Sequence, residues 1–317
     1  MADMTTSNVK ATAVKAFFEG LITPNDSVIT EVLTYEDVDA PALRKASLTG
    51  IPDPGTWTAG DDLPSAAITS EGAVTMDYQA YGVSVDINPY DVMDVPGIVE
   101  KSANKLGRSV ANKRAKLAFT LLQNMFTDDS ADGVDIVSDQ HTTAAGGSNY
   151  RNNKLTSALD ISSFNAAIRK CREWLNFQGQ SMDWADVRKF LIVPPALEMT
   201  ARQVLGSPYQ LTTIATTEVG SGGHGVAAAA PSQGLMNPSG LYNTVLIVDP
   251  YATDDNNWSL VAEPSYGNPF TFWDRQKPQF FAAVEDQDSL KVKLRCHWAS
   301  IAKSGPEPDG VIGSLVS

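Results

Sequence analysis

Three features of the sequence predict an α+β fold. One apolar face is sustained over residues 98–126, short apolar runs are bounded by turn residues, and a long strand changes register partway. In IVEKSANKLGRSVANKRAKLAFTLLQNMF, Val99, Ala103, Leu106, Val110, Leu117 and Leu121 recur at three- and four-residue steps. That is the repeat of one helical face. Lys101, Lys105, Arg108, Asn112 and Lys116 fall on the opposite side. At 1.5 Å per residue the helix is roughly 43 Å long, well beyond the usual helix of a compact domain. It reads as a spine from which the other segments hang. Asp94 is the expected cap, Pro96 suits a first turn, and the Asp128-Asp129-Ser130 run with Gly133 marks the stop.

The chain before the spine reads as arm, loop and strand. A helix is expected over residues 12–21, with Val14, Phe17, Phe18 and Leu21 as its apolar set and Pro24 ending it. A short strand is expected over 28–34 and an extended arm over 35–50. Residues 1–50 have no core of their own, so they must lie on another surface, which leaves Phe17 and Phe18 for a neighbour. The segment IPDPGTWTAGDDLPSAAITSE holds three prolines, two glycines and four acidic residues. A loop this long inside a compact domain is usually functional or disordered. Trp57 and Ile68 are its expected apolar contact points, and Asp61 and Asp62 its charged ones. In the strand that follows, Val74, Met76, Tyr78 and Ala80 alternate with polar residues, and the apolar set then moves to Val83, Val85 and Ile87. A bulge or bend is expected at Gly82.

After the spine, residues 128–156 are a turn-rich crossing. A second amphipathic helix is expected over 161–177, with Phe164, Ala167, Ile168, Cys171 and Leu175 inward and Asp160 or Ser162 as its cap. Phe190–Val193 reads as a buried strand stopped by Pro194-Pro195, and a third helix spans 196–205. Residues 209–240 are loose and glycine-rich. Val245–Val248 is a second buried strand, and two short strands are expected at 270–273 and 279–283. Leu290, Val292, Leu294, Cys296 and Trp298 then alternate with Lys291, Lys293, Arg295 and His297, giving a strand with one buried face and one row of cations. The tail from Ser304 is expected to be extended or mobile.

At 317 residues, 43% hydrophobic and 19% charged, the chain is globular and long enough for about two domains. A net charge of −13 excludes tight DNA binding over the whole surface, though the spine keeps a basic face. Cys171 and Cys296 show no paired spacing, so neither a disulfide framework nor a zinc site is indicated. No apolar run is long enough to span a membrane, and the N-terminus lacks a signal-peptide pattern. His141, His224 and His297 share no ligand spacing; Asp135, Asp139 and His141 read as a turn with incidental carboxylates rather than a metal site. The VGSGGHG run follows no strand, opens no helix and lacks the P-loop lysine. No catalytic, cofactor-binding or metal constellation emerges. The parts that stand out are those that reach toward neighbours.

The middle of the chain resembles the Mu-like major head subunit proteins. The resemblance rests on Gly133, Ile136, Val137, Ser138 and His141, on LTSALDISSFNAAIRK, and on VPPALEMTARQVLGS from Val193 to Ser207. It continues through NPSG at 237–240, VDP at 248–250 and WSLVAEP at 258–264, about 170 residues in all. That family is similar to tailed-phage capsid proteins of the Hong Kong 97-type fold. The resemblance implies an N-terminal arm at 1–50, an extended loop at 51–76, and a peripheral domain at 77–190 to which 263–303 returns. It also implies an axial domain at 191–262 and a C-terminal tail at 304–317.

It further implies a structural subunit that self-assembles into hexamers and pentamers of an icosahedral head enclosing double-stranded DNA. Such a subunit is assembled in the host cytoplasm and resides in the virion. The implied partners are further copies of itself, a separate scaffold or protease protein, a portal and a decoration protein. DNA is expected to be held by confinement. Lys105 and Arg108 are expected to meet acidic loops of neighbours, such as Asp61-Asp62, in preference to the lumen. Two rivals stand beside this reading: an encapsulin-like nanocompartment shell, and a soluble metal-dependent enzyme using His141.

Overall fold

The computed structural model describes residues 2–22, 26–48, 56, 58, 62–63, 70–143, 151–206, 209–210, 235–236, 242–285 and 291–316. In chain order the elements begin with α1 (Ala2–Leu21), α2 (Asp26–Val32), β1 (Thr34–Asp37), β2 (Ala42–Leu48), β3 (Ser70–Asp77) and β4 (Gln79–Ile87). Helices α3 (Pro89–Asp94) and α4 (Ile98–Gln123) follow, then β5 (Lys154–Leu155), α5 (Ile161–Glu173), β6 (Lys189–Val193) and α6 (Glu198–Gly206). The remainder is β7 (Tyr209–Gln210), β8 (Leu235–Met236), β9 (Thr244–Val248), β10 (Trp258–Ala262), β11 (Thr271–Glu285), β12 (Val292–Ile301) and β13 (Val311–Ser314). Two sheets organise them. One has four strands in the order β1-β11-β12-β4, the other five in the order β5-β13-β10-β6-β9. Strands β2 and β3 pair separately as an antiparallel hairpin.

The spine runs as expected, and both sheets rest on it. Val99, Ala103, Leu106 and Val110, in its first half, pack with Leu294, Cys296 and Trp298 of β12 and with Ala13 and Phe17 of α1. Ala118, Phe119, Leu121 and Leu122, in its last turns, share a second core with Phe190, Ile192, Val261 and Val311 of the five-stranded sheet. The other face of that sheet carries Leu191, Val193, Leu260 and Ile312 against Phe164, Ala167, Ile168 and Cys171 of α5. Burial on both faces explains why β6 reads as an unbroken apolar run. The entry to α4 differs from expectation: its N-cap is Gly97 at φ 74, with no side-chain cap. Asp94 instead ends α3, whose own cap Asn88 accepts from the Tyr90 amide at 3.2 Å.

Helix α1 lies so close to α4 that neither contact point has room for a side chain. A Cβ on Gly107 would collide with the Phe17 carbonyl, and one on Gly20 with the carbonyl of Asn104. The Asn104 side-chain amide donates to Ala16 O at 3.1 Å across the same crossing. The helix expected over 12–21 therefore extends back to Ala2 and packs on α4. The segment expected as a strand at 28–34 is mostly α2, because Ile29, Val32 and Leu33 fall at helical spacing and bury against the end of α4. Its β-branched content misled the propensity reading, and packing overrides propensity.

Further differences have physical causes. The register change after β3 occurs at Tyr78, where the chain leaves the hairpin to join the larger sheet; at Gly82 the pairing with His297 is regular. The two short strands expected at 270–283 are one strand, β11, whose register shifts flank Gln276 and Gln279 and accommodate Pro278. Helix α5 starts at the predicted cap, with an Asp160–Ser163 capping box, but ends at Glu173, so Leu175 leaves the inner face. At 311–314 the tail is extended but not loose: it forms β13, which is buried and lies between β5 and β10. A Cβ at Gly313 would come within 2.7–2.8 Å of Val137 and Phe126, so this glycine is a packing residue. The glycine-rich stretch containing VGSGGHG lies outside the described residues.

Replacing Gly107 by Ala should force α1 off the spine and cost about 1–3 kcal/mol. Thermal unfolding of the full chain measures it; an unchanged midpoint would mean that the α1–α4 contact is not close.

Candidate functional site

The surfaces that could meet other molecules are built from the outward side of α4, the open face of the four-stranded sheet and the hairpin. On α4, Lys101, Lys105, Arg108 and Lys116 are all exposed, with Ser109 and Asn112 between them. None of the four makes an ion pair among the described residues, while other cations do: Arg114, Arg172, Arg188 and Arg202 each bind a carboxylate of the chain. Arg114 shows the contrast on the same helix. Its guanidinium grips Asp274 of β11 through two bonds of 2.9 and 2.7 Å, nearly out of solvent. That paired fork geometry locks helix to sheet. In a chain of net charge −13, a row of unpaired cations is available to an anion outside the chain.

The hairpin is anchored at its base. Val74 and Met76 of β3 pack on Trp273 and Ile301, and the Lys45 ammonium sits 4.9 Å from the centroid of the Trp273 ring. A Cβ on Gly72 would collide with the Ala131 carbonyl, so β3 runs directly against the crossing after α4. Ser47 is buried and donates to Glu307 at 3.5 Å.

The expected interface residues separate into three groups. Phe17 is a correction. It is fully buried and stacks on Phe280 with ring centroids 4.6 Å apart, so it belongs to the subunit's own core. Phe18, one position on, is 47% exposed, and Asp62, Lys105 and Arg108 are exposed as expected. Trp57, Asp61 and Ile68 lie outside the described residues.

His141 is not a free ligand. It is fully buried, with Nδ1 3.0 Å from Asp132 Oδ2 and Nε2 3.0 Å from the Ile136 carbonyl oxygen. Both ring nitrogens therefore face acceptors, while Asp135 and Asp139 are exposed. Among the described residues no three His, Cys, Asp or Glu side chains are placed to hold a metal ion. No described helix is long and apolar enough to cross a membrane. Around His141 is a buried polar cluster that the sequence did not reveal. Arg151 Nε donates to Thr142 O at 3.0 Å, and its guanidinium lies 3.8 Å from Asp309. Trp174 Nε1 donates to the same Asp309 carboxylate at 2.7 Å. Burial pushes Asp309 above the ordinary carboxylate range despite these two partners. Burial also acts to raise Asp132. It is outweighed by hydrogen bonds from His141 and Ser130, the His141 charge and the Thr142 amide, which together hold that carboxyl down at about 2.

This two-sheet, one-spine architecture is that of capsid-lattice subunits. The structure is similar to the capsid of cyanophage P-SCSP1u, with a TM-score of 0.55 at 10% identity over 90% of this chain and 87% of that one. It is equally similar to the mature capsid of bacteriophage PhiM1, with a TM-score of 0.55 at 11% identity over 91% and 86%. The virus-like particle from Pyrococcus furiosus shares the fold too, with a TM-score of 0.51 at 8% identity over 98% and 99%. A search of curated proteins finds no match. The family model described as phage capsid protein matches residues 78–313, and the chain belongs to that family. It is a phage major capsid protein, a structural subunit of the Hong Kong 97-type fold.

The Asp132 carboxyl predicts an acid limit. Its folded pKa lies below the unfolded value of about 4, so its contribution is complete above that value and is lost as pH falls toward 2. Asp132→Asn should lower the melting temperature at pH 7 and flatten its fall between pH 4 and 2. An acid profile identical to wild type would remove Asp132 from this role.

Proposed function

We propose that this capsid protein assembles into the hexamers and pentamers of an icosahedral head around double-stranded DNA. The observation that carries the reading is the family match across both sheets and the spine, residues 78–313. The four-stranded sheet with α1 and α4 forms the peripheral unit. The five-stranded sheet with α5 and α6 forms the axial unit, and it takes in 154–206 and 311–314 as well as the expected 191–262. The extended loop is the β2–β3 hairpin with the segment between its strands. A scaffold or protease, a portal and a decoration protein are further partners of this reading. Assembly in the host cytoplasm belongs to it as well.

The unpaired row on α4 supports contact with anions beyond the chain. Carboxylates of a neighbouring subunit fit this row better than duplex phosphates. A shell whose subunits each carry −13 repels a packaged genome over most of its surface and holds it by confinement. Replacing Lys105 and Arg108 by Glu should weaken the formation of empty shells in the absence of DNA. Normal empty shells from that variant would assign the row to the lumen.

The rival shell, a nanocompartment enclosing a protein cargo, is the less supported reading, because the matching family model is described as phage capsid protein. The nucleic acid content of purified particles separates the two.

Subunits are held without covalent links. No lysine occurs between Lys45 and Lys101, and Lys45 lies at the hairpin base over Trp273 with Glu36 4.0 Å away. A nucleophilic amine is therefore missing from residues 46–100. Denatured particles should run as single 34.0 kDa chains on a reducing gel, and Trp57→Ala should lower shell stability. A ladder of covalent multimers would overturn this.

A further inference from the structure

Strands β6 and β9 run parallel and end side by side at Val193 and Val248. Beyond their ends, against the last turn of α4, lies a cavity of about 260 Å³. Met125, Phe126, Ile192 and Trp258 line its apolar side. Its polar side is negative. Asp249 lines it and is only 2% exposed, and Asp254 lines it from the exposed turn before β10. Among the described residues no Lys, Arg or His lines it.

Asp249 is held in place without a cation. Gln123 Nε2 donates to its Oδ2 at 2.7 Å, and the Tyr251 amide donates to its Oδ1 at 2.8 Å. Gln123 Nε2 also donates to the Tyr251 carbonyl at 3.0 Å. That spends both hydrogens of the Gln123 amide and leaves its Oε1 without a donor among the described residues. Burial pushes Asp249 above the ordinary carboxylate range despite its two hydrogen bonds, and no positive charge of the chain offsets it. A buried carboxylate without a cation is costly, so the group that completes this site is positive.

We propose that the cavity binds the cationic end of a short aliphatic chain, a primary ammonium or guanidinium that donates to Asp249 and Gln123 Oε1 with its methylenes against Met125, Phe126 and Trp258. Long basic side chains lay their apolar stems along such walls in the same way. Other guests fail on size, charge or donor set. The cavity is smaller than the roughly 300–1,000 Å³ of sites for drug-sized molecules. An anion would meet two carboxylates, and a wholly apolar guest would leave Asp249 unpaired. Among the described residues no three His, Cys, Asp or Glu side chains are grouped to hold a metal. Two sources carry the required chemistry: a basic side chain of a neighbouring copy, which rests on the capsid reading, and a free diamine, which does not.

The test titrates full-length, unassembled chains with the diamine putrescine at pH 8, where an alkylammonium with the lysine pKa of about 10.4 stays charged. Saturable binding is expected, and none with n-butanol at the same concentrations. Asp249→Asn should weaken binding about tenfold or more. Asp254→Asn, at an exposed position that the fold does not depend on, should weaken it about threefold. No saturable binding to folded wild-type chains, equal binding of n-butanol, or displacement of the diamine by magnesium ion at matched ionic strength would each overturn the proposal. In assembled shells, loss of the putrescine site would assign the cavity to a neighbour's basic side chain, and its persistence would assign it to a free amine; both uphold the cationic guest. Failure of wild-type chains to make shells would overturn the capsid reading, while the titration decides the cavity.

Discussion

The constraint on which the structure depends is that one helix belongs to two cores. The first half of α4 lies under the four-stranded sheet, and its last turns lie against the five-stranded sheet. Neither sheet can shift along the helix independently, because each packs against side chains fixed at its own turns. The Arg114–Asp274 fork adds a directional lock near the middle of the helix, and the glycine-lined crossing with α1 adds a second. Removing one partner of a nearly buried ion pair leaves an uncompensated charge, so the lock tolerates neither half being lost. Rigidity along α4 is what allows a contact at one end of the subunit to set the position of the other.

A second junction is polar. The crossing after α4 touches four separate parts of the chain. Ala131 meets β3 at Gly72 and accepts no side chain there; its amide donates to Pro306 O at 2.8 Å. Asn153 is fully buried, donates to Ile136 O at 2.7 Å and through its own carbonyl receives Gly313 N. The His141–Asp132 pair holds this crossing in shape from within. Hairpin base, spine end, α5 and β13 therefore meet around one set of hydrogen bonds. The hairpin is tied to this junction through the Gly72–Ala131 contact and to the apolar cluster of Trp273 and Ile301 through Val74 and Met76.

Much of this was legible from periodicity. The spine, its basic face, α5 with its cap and the buried strand β6 all follow from spacing, because each buries a face wide enough to leave a pattern. What the sequence concealed has common physical reasons. Ile29, Val32 and Leu33 carry strand propensity but occupy helical positions. Phe17 and Phe18 read alike in sequence, and only the placement of α1 on α4 separates the buried ring from the exposed one. Gly313 and the prolines before it resemble a loose tail, since a glycine that makes room for Val137 and Phe126 cannot be told from one that breaks a strand. The alternating cations of β12 were visible in advance, but only strand pairing sets Arg295 between Ser84 and Phe281.

The position of β13 bears on how the subunit is made. It is the last strand of the five-stranded sheet to be synthesised, yet it sits inside the sheet, between strands from earlier parts of the chain. Until it emerges from the ribosome, β10 has an open edge and the core shared with Val137 and Phe126 lacks a wall. Contacts so distant in sequence close slowly. Until that strand is added, a nascent subunit therefore lacks the inner strand that joins β5 to β10.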